Sequence, residues 1–359
     1  GDFQKSAALA ASQGITSVID YLQQDTEEIP VNGAFVNYSF HKVITTPVNY
    51  KYIKGYVAKG ITSFKIFTTY SKNGWMLNDG QIRDLMLHVR KAGAILEVHC
   101  ENDGMVKENL RHMPPVIENL SKIREPLCEL EAVNRMCFLA MNTGVHLHIV
   151  HTTLPASWTI INNYRKKGAS ITWETCPQYL FLHDMLLERN DNYLYTFAPP
   201  LRDKDAMTAM RALVLKGKVN IITTDHCAFT KDQKLSSKDI SRIPMGLPSI
   251  GFSFRLILEL FDNTKNFNKA AALLSLNPAK LFGIKKRGAL KRGFHADIAI
   301  IKEISSRPIE LPSLSLSGAN PYSHVNSRWR VINTIVNGEI AWQDGDLKHL
   351  AGHFLKRAI

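Results

Sequence analysis

Lys65 stands in the middle of an apolar run, Ser63-Phe64-Lys65-Ile66-Phe67. A bare ammonium there would be costly, so the pattern asks for a lysine that is paired, deprotonated or chemically modified. Three further residues able to bind metal stand at or just past the ends of strand-like apolar runs: His99 after ILEV, His151 after HLHIV and Asp225 after NIITT. In a parallel α/β barrel the C-terminal ends of the strands meet at one face. Lysine, histidine, histidine and aspartate converging there read as a metal site. The lysine suits that site best as a carbamate, its amine capped by carbon dioxide to give a bridging oxygen ligand. Singly, each residue has a plainer role: a snorkelling lysine, a satisfied core histidine, a turn aspartate. Four coincidences at four strand ends outweigh those roles taken together.

The elements that must position these residues alternate in a βα rhythm as far as residue 224, the pattern of a parallel sheet. Strands are expected over 15–21, 34–39, 63–68, 95–99, 146–151, 170–176 and 220–224. Helices are expected over 49–59, 79–92, 125–142, 156–167 and 203–216. A (β/α)8 TIM-like barrel needs an eighth strand, and the chain opens on residues 3–12, which read as a helix. The expectation is therefore a barrel, with the metal site at its strand ends, whose first strand is missing. Beyond it come a polar loop over 231–241, helices near 252–261 and 269–274, and short strands over 287–303. A hairpin follows over 329–342 around Asn337-Gly338. These strands read as part of a small β-sandwich, giving a barrel over 1–284 and a C-terminal portion with its tail over 285–359.

Composition sets wide bounds. The chain has 359 residues, 45% hydrophobic and 21% charged, with a net charge of +12. Those fractions are ordinary for a soluble globular protein. The basic residues are spread thinly, with only short clusters such as Lys166-Lys167 and Lys285-Lys286-Arg287, so a nucleic-acid partner is not expected. No apolar run approaches a membrane span and no secretory signal opens the chain, so no membrane partner is expected either. Cys100, Cys128, Cys137, Cys176 and Cys227 form no Cys-x-x-Cys pair. That scatter suits a reducing cytoplasm, and Cys176 and Cys227 read as packing residues.

Taken in order, the segments GITSFKIFTTY, GAILEVHCEN, HIVHTT, ETCPQYLFL, APPLRDKDA, TTDHCAF and LNPAKLFGI resemble the hydantoinase and dihydropyrimidinase branch of the amidohydrolase superfamily. The resemblance runs nearly end to end. It implies a metal-bearing barrel flanked by a β-sandwich, hydrolysing cyclic amides and ureides. It makes Lys65 the carbamylated ligand bridging two divalent metal ions, zinc by default. His99 and His151 become imidazole ligands of one ion and Asp225 a ligand of the other. Tyr70 matches the tyrosine that donates to the developing oxyanion, and backbone groups at Ala198 and at Met245-Gly246 would read the substrate amide. Relatives usually carry serine and asparagine where Ala198 and Met245 stand.

The first strand of the family carries a His-x-His pair that completes the second metal position, and no counterpart precedes Gly1 in this sequence. His146-Leu147-His148 has the same form, but alternation puts both on one strand face and His151 on the other. They are expected to be packed rather than ligating. The implied reaction is attack of a metal-bridging hydroxide on a dihydropyrimidine or hydantoin carbonyl, as in pyrimidine degradation. Asp225 would act as base and then acid, and the product would be an N-carbamoyl amino acid. Allantoinase and dihydroorotase chemistry are the alternatives within the family. A non-catalytic dihydropyrimidinase-like scaffold is the alternative outside catalysis, though such scaffolds have typically lost the ligands that stand here. The resemblance also implies a homo-oligomer, a tetramer or dimer.

Overall fold

Alternation of apolar runs with amphipathic helices produces the parallel sheet that it predicts. In the computed structural model, which describes residues 3–26 and 33–359, seven strands pair in the order in which they occur in the chain. They are β1 (Ser17–Leu22), β2 (Asn37–Val43), β3 (Ser63–Phe67), β4 (Ile95–His99), β5 (His146–Ile149), β6 (Ile171–Thr175) and β7 (Ile221–Ile222). Parallel neighbours joined by helical crossovers wrap as a TIM-like barrel. The helices lie where the sequence places them: Tyr50–Ala58, Asp79–Lys91, Pro126–Thr143, Pro155–Lys166 and Lys204–Leu215. Asp79–Lys91 shows why. Asn78 and Gln81 form a reciprocal capping box at its start, and Ile82, Leu85, Met86 and Val89 line one buried stripe, the spacing of a helix face turned to a core.

Register carries the chemistry. Lys65 on β3 stands beside Glu97 on β4, and Phe67 stands beside His99. All five residues of β4 and all seven of β2 are buried, whereas only Leu22 of β1 is. β1 and β7 are the two edges of the sheet and do not pair with each other among the described residues. A cavity of about 1750 Å³ opens between them and over the strand ends. β7 is shorter than expected because the chain turns at Asp225, whose φ of 46° leaves the extended region.

After the barrel, β8 (Ile298–Pro308), β9 (Asn326–Val336), β10 (Glu339–Gln343) and β11 (Asp346–Leu347) form an antiparallel sheet in the order β11-β10-β9-β8. Asn337 and Gly338 take φ of 55° and 89°, the left-handed pair of a tight hairpin turn. Residues 287–297 are not strand, contrary to expectation. Asp297 there accepts from Arg287 Nη1 and from Asn337 N, so the segment is pinned as a turn and β8 begins after it. The helix Phe3–Ser12 joins the two sheets, its Ala11 carbonyl accepting from Thr334 Oγ1 at 2.6 Å. The closing residues return to the barrel: Leu355 N donates to Tyr38 O at 2.7 Å, and the buried Arg357 guanidinium donates to Ser39 Oγ and Ser63 Oγ.

Candidate metal and catalytic site

Lys65, Tyr70, His99, His151, Ala198, Asp225, Met245 and Gly246 all line one large cavity. Lys65 is 3% exposed, His99 2% and His151 4%. Snorkelling is thereby excluded for Lys65. Its amine rests over the Phe67 and Tyr21 rings, 5.3 and 5.6 Å from their centres, and forms no hydrogen bond among the described residues. Lys42, also fully buried in a strand, shows the contrast: its amine donates to the Gln23 and Thr26 carbonyls at 2.6 and 2.7 Å. Burial pulls the Lys65 amine below the usual lysine range, with Glu97, Asp225 and Glu174 opposing. An amine held that way is closer to the neutral form, the nucleophile that adds to carbon dioxide.

The two imidazoles meet. His99 Nδ1 lies 2.9 Å from His151 Nε2, while His99 Nε2 bonds Glu101 Oε2 at 2.6 Å. With Nε2 donating to the carboxylate, the Nδ1 lone pair of His99 points at its neighbour, the arrangement of a metal-binding histidine. His151 Nδ1 is buried without a partner among the described residues. Burial lowers the pKa of both rings, that of His151 the further, which favours the neutral form that can ligate. Among the described residues no three His, Cys, Asp or Glu side chains are grouped closely enough to hold an ion by themselves. Two imidazole nitrogens fit a metal; completing a donor set requires further donors, such as the Asp225 carboxylate, which lines the same cavity.

Three of the seven left-handed non-glycine residues among the described residues lie here. Tyr70, His151 and Asp225 have φ of 67°, 39° and 46°, left-handed values that side chains of this bulk rarely adopt and that gather at functional sites. Tyr70 leaves β3 against His99, with ring centres 5.3 Å apart, and Thr68 Oγ1 ties the two strand ends by donating to the His99 carbonyl at 2.9 Å. Burial pushes the Tyr70 phenol up to about 12, with Arg124 opposing. Asp225 is pushed up to about 6 by burial, opposed by Lys65 and assisted by Glu174. Gly246 closes the far wall, where a Cβ would lie 2.3 Å from the Cys227 carbonyl. Its N–H donates to Thr196 O at 3.0 Å, so the carbonyls and the Met245 N–H are the backbone groups left there.

Residues that the sequence did not flag complete the surroundings. Arg124 Nη1 bonds Glu101 Oε2 at 2.5 Å, and His41 Nδ1 lies 2.8 Å from Glu97 Oε1. Glu101 follows His99 by two, a spacing that a reading for supporting carboxylates would have found; Arg124 has no local signal. His146 and His148 both bond Thr172 Oγ1, and His148 Nε2 bonds Glu174 Oε2 at 3.0 Å, so they are satisfied side chains. Cys176 packs in the core, but Cys227 is exposed, a correction to its reading as a packing residue. His226 Nδ1 accepts from Ile250 N at 3.2 Å, a structural tie.

The family profile described as the amidohydrolase family matches residues 4–341. The chain belongs to the amidohydrolase family. This amidohydrolase is 29% identical over 386 residues to a D-phenylhydantoinase of Escherichia coli, covering 99% of its own length and 82% of the relative's. It superposes on a D-hydantoinase from Bacillus sp. AR9 with a TM-score of 0.92 at 25% identity, over 99% of this chain and 84% of that one. A dihydropyrimidinase from Brevibacillus agri gives a TM-score of 0.92 at 26% identity, over 99% and 83%. Within its family, this amidohydrolase therefore groups with the hydantoinase and dihydropyrimidinase branch.

Proposed function

We propose that this amidohydrolase opens a cyclic amide or ureide of the dihydropyrimidine or hydantoin type to an N-carbamoyl amino acid. The observation that carries the reading is the convergence of Lys65, His99, His151, Asp225 and Tyr70 on one cavity. The likeness to hydantoinases over 99% of the chain supports the substrate class. Carbamylated Lys65 would bridge two divalent ions, with His99 and His151 on one and Asp225 on the other. Zinc is the ion that imidazole and oxygen donors favour. Bound there, such ions supply an activated water at neutral pH.

The chain's own residues do the rest. Tyr70, kept protonated by burial, donates to the carbonyl oxygen as charge develops on it. Asp225, with a pKa raised to about 6, takes a proton and returns it to the departing ring nitrogen. Backbone groups at Ala198 and Met245-Gly246 orient the ring amide. A barrel over 1–284, a C-terminal portion over 285–359, a homo-oligomeric state and a cytoplasmic site of action belong to the same proposal. The change from parallel to antiparallel sheet supports the division, and the five free cysteines suit the compartment.

Metal content decides the reading. Elemental analysis of protein purified with zinc and bicarbonate, alongside a hydantoin ring-opening assay, should find about two ions per chain and turnover. Lys65→Ala should lose both, with partial rescue by short carboxylic acids that replace the carbamate. Wild-type metal content in Lys65→Ala would remove the carbamate from the reading, and wild-type protein with neither metal nor turnover would remove the function.

A further inference from the structure

Arg124 belongs to no barrel strand. It follows the short helix Leu120–Ile123, yet its side chain ends inside the cavity wall. There its Nη1 lies 2.5 Å from Glu101 Oε2. The same oxygen is 2.6 Å from His99 Nε2. The guanidinium carbon also stands 5.2 Å from the centre of the Tyr70 ring. The arginine is itself anchored, for Arg202 Nη1 donates to the Arg124 carbonyl at 2.6 Å. One guanidinium thus touches the carboxylate behind a candidate ligand and the face of the candidate oxyanion donor. Among the described residues Glu101 Oε1 is buried without a partner, so the side-chain hydrogen bonds of this carboxylate fall on the single oxygen shared by His99 and Arg124.

A neutral imidazole has one N–H and one lone pair, and the partner of the N–H decides where the lone pair points. A free carboxylate could rotate off the ring N–H, which would leave the His99 lone pair free to turn away from His151. A permanently charged guanidinium whose Nη1 holds the same Oε2 restrains that rotation. We propose that Glu101 and Arg124 are positioning residues: Glu101 fixes His99 with Nδ1 facing His151, and Arg124 locks Glu101 and the left-handed Tyr70 into one frame. Metal affinity and oxyanion stabilisation are then coupled through one side chain. The inference rests on the metal-site reading of His99 given above.

The test compares wild-type protein with Glu101→Gln, Arg124→Met and the double variant. A side-chain amide at 101 can donate as well as accept, so the ring is released to either tautomer at nearly constant volume. The His99 tautomer is read by nitrogen-15 NMR on metal-free protein, and cobalt(II) affinity by competition with a chelator. The expected result is a single Nε2–H tautomer in the wild type, mixed tautomers in the variants, and cobalt affinity lowered about 10–100-fold. Arg124→Met should in addition lower kcat with little change in KM. Removing one partner of a buried pair can unfold a protein, so Arg124→Lys, which keeps the charge without the fork, is included with the expectation of a smaller loss of affinity. Folded variants with the wild-type tautomer and cobalt affinity within twofold of wild type would overturn the inference. If wild-type protein binds no cobalt, the metal-site reading fails separately, and the metal-free tautomer still decides this one.

Discussion

At the scale of single residues, the comparison of Lys65 with Lys42 is the most telling. Both are buried strand lysines, but Lys42 is satisfied by two carbonyls while Lys65 faces aromatic rings and carboxylates at a distance. A buried amine without a hydrogen-bond acceptor is destabilising, and a modification that turns it into an oxygen donor removes the cost. Lys65, His99, His151 and Asp225 were legible in the sequence because each interrupts or ends an apolar run. Arg124 was not, because an ion pair between a strand end and a distant loop leaves no periodic trace, whereas Glu101 carried a signal only in its spacing from His99. Tyr70 makes a sharp prediction. Tyr70→Phe keeps the ring against His99 and Trp75 and deletes only the donor. It should lower kcat for hydantoin opening by roughly 10²–10³-fold, the usual loss for one oxyanion donor, with KM nearly unchanged. Steady-state kinetics would refute the role if kcat stayed within threefold of wild type.

At the scale of elements, strands and helices were legible wherever a hydrophobic period ran for several residues, as in β4 and in Asp79–Lys91. Residues 287–297 misled because they run on from a true strand, β8, while Asp297 gathers Arg287 and Asn337 into a turn instead. β7 was over-extended because nothing in NIITT announces the left-handed turn at Asp225. Loop-to-loop contact is likewise invisible to periodicity, and Gly246 is the case that matters for substrate. Its missing Cβ lets the 243–247 segment approach the Cys227 carbonyl, which brings the Met245 backbone to the cavity. Gly246→Ala must push these segments apart. KM should rise roughly tenfold, a loss of about 1.4 kcal/mol in binding, while far-UV circular dichroism stays at wild type. An unchanged KM would mean that this wall does not hold the ring.

At the scale of the whole molecule, buried titratable groups tie stability to pH, and Lys234 gives the clearest case. It is 5% exposed and donates to Thr196 O at 2.5 Å and Thr196 Oγ1 at 2.9 Å, joining two cavity segments, because Thr196 O also accepts from Gly246 N. Burial pulls its pKa down to about 7, whereas in the unfolded chain it keeps its proton to the ordinary lysine value. Between those values the unfolded state binds more protons than the folded one, so folding stability rises with pH through the window. The slope from one such group is at most about 1.4 kcal/mol per pH unit. Above about pH 9 buried thiols work in the opposite sense: burial raises Cys128 and Cys137 to about 12, so the unfolded chain loses those protons first and stability falls. The contribution of Lys234 is therefore best read between about pH 7 and 9, as a difference between variants. Urea unfolding of wild-type protein should become harder across that interval relative to Lys234→Met, which cannot titrate. Parallel pH profiles for the two would mean that Lys234 keeps its charge in the fold, so that the Thr196 oxygens and the ring face of Phe229, 5.6 Å away, suffice to hold a buried ammonium.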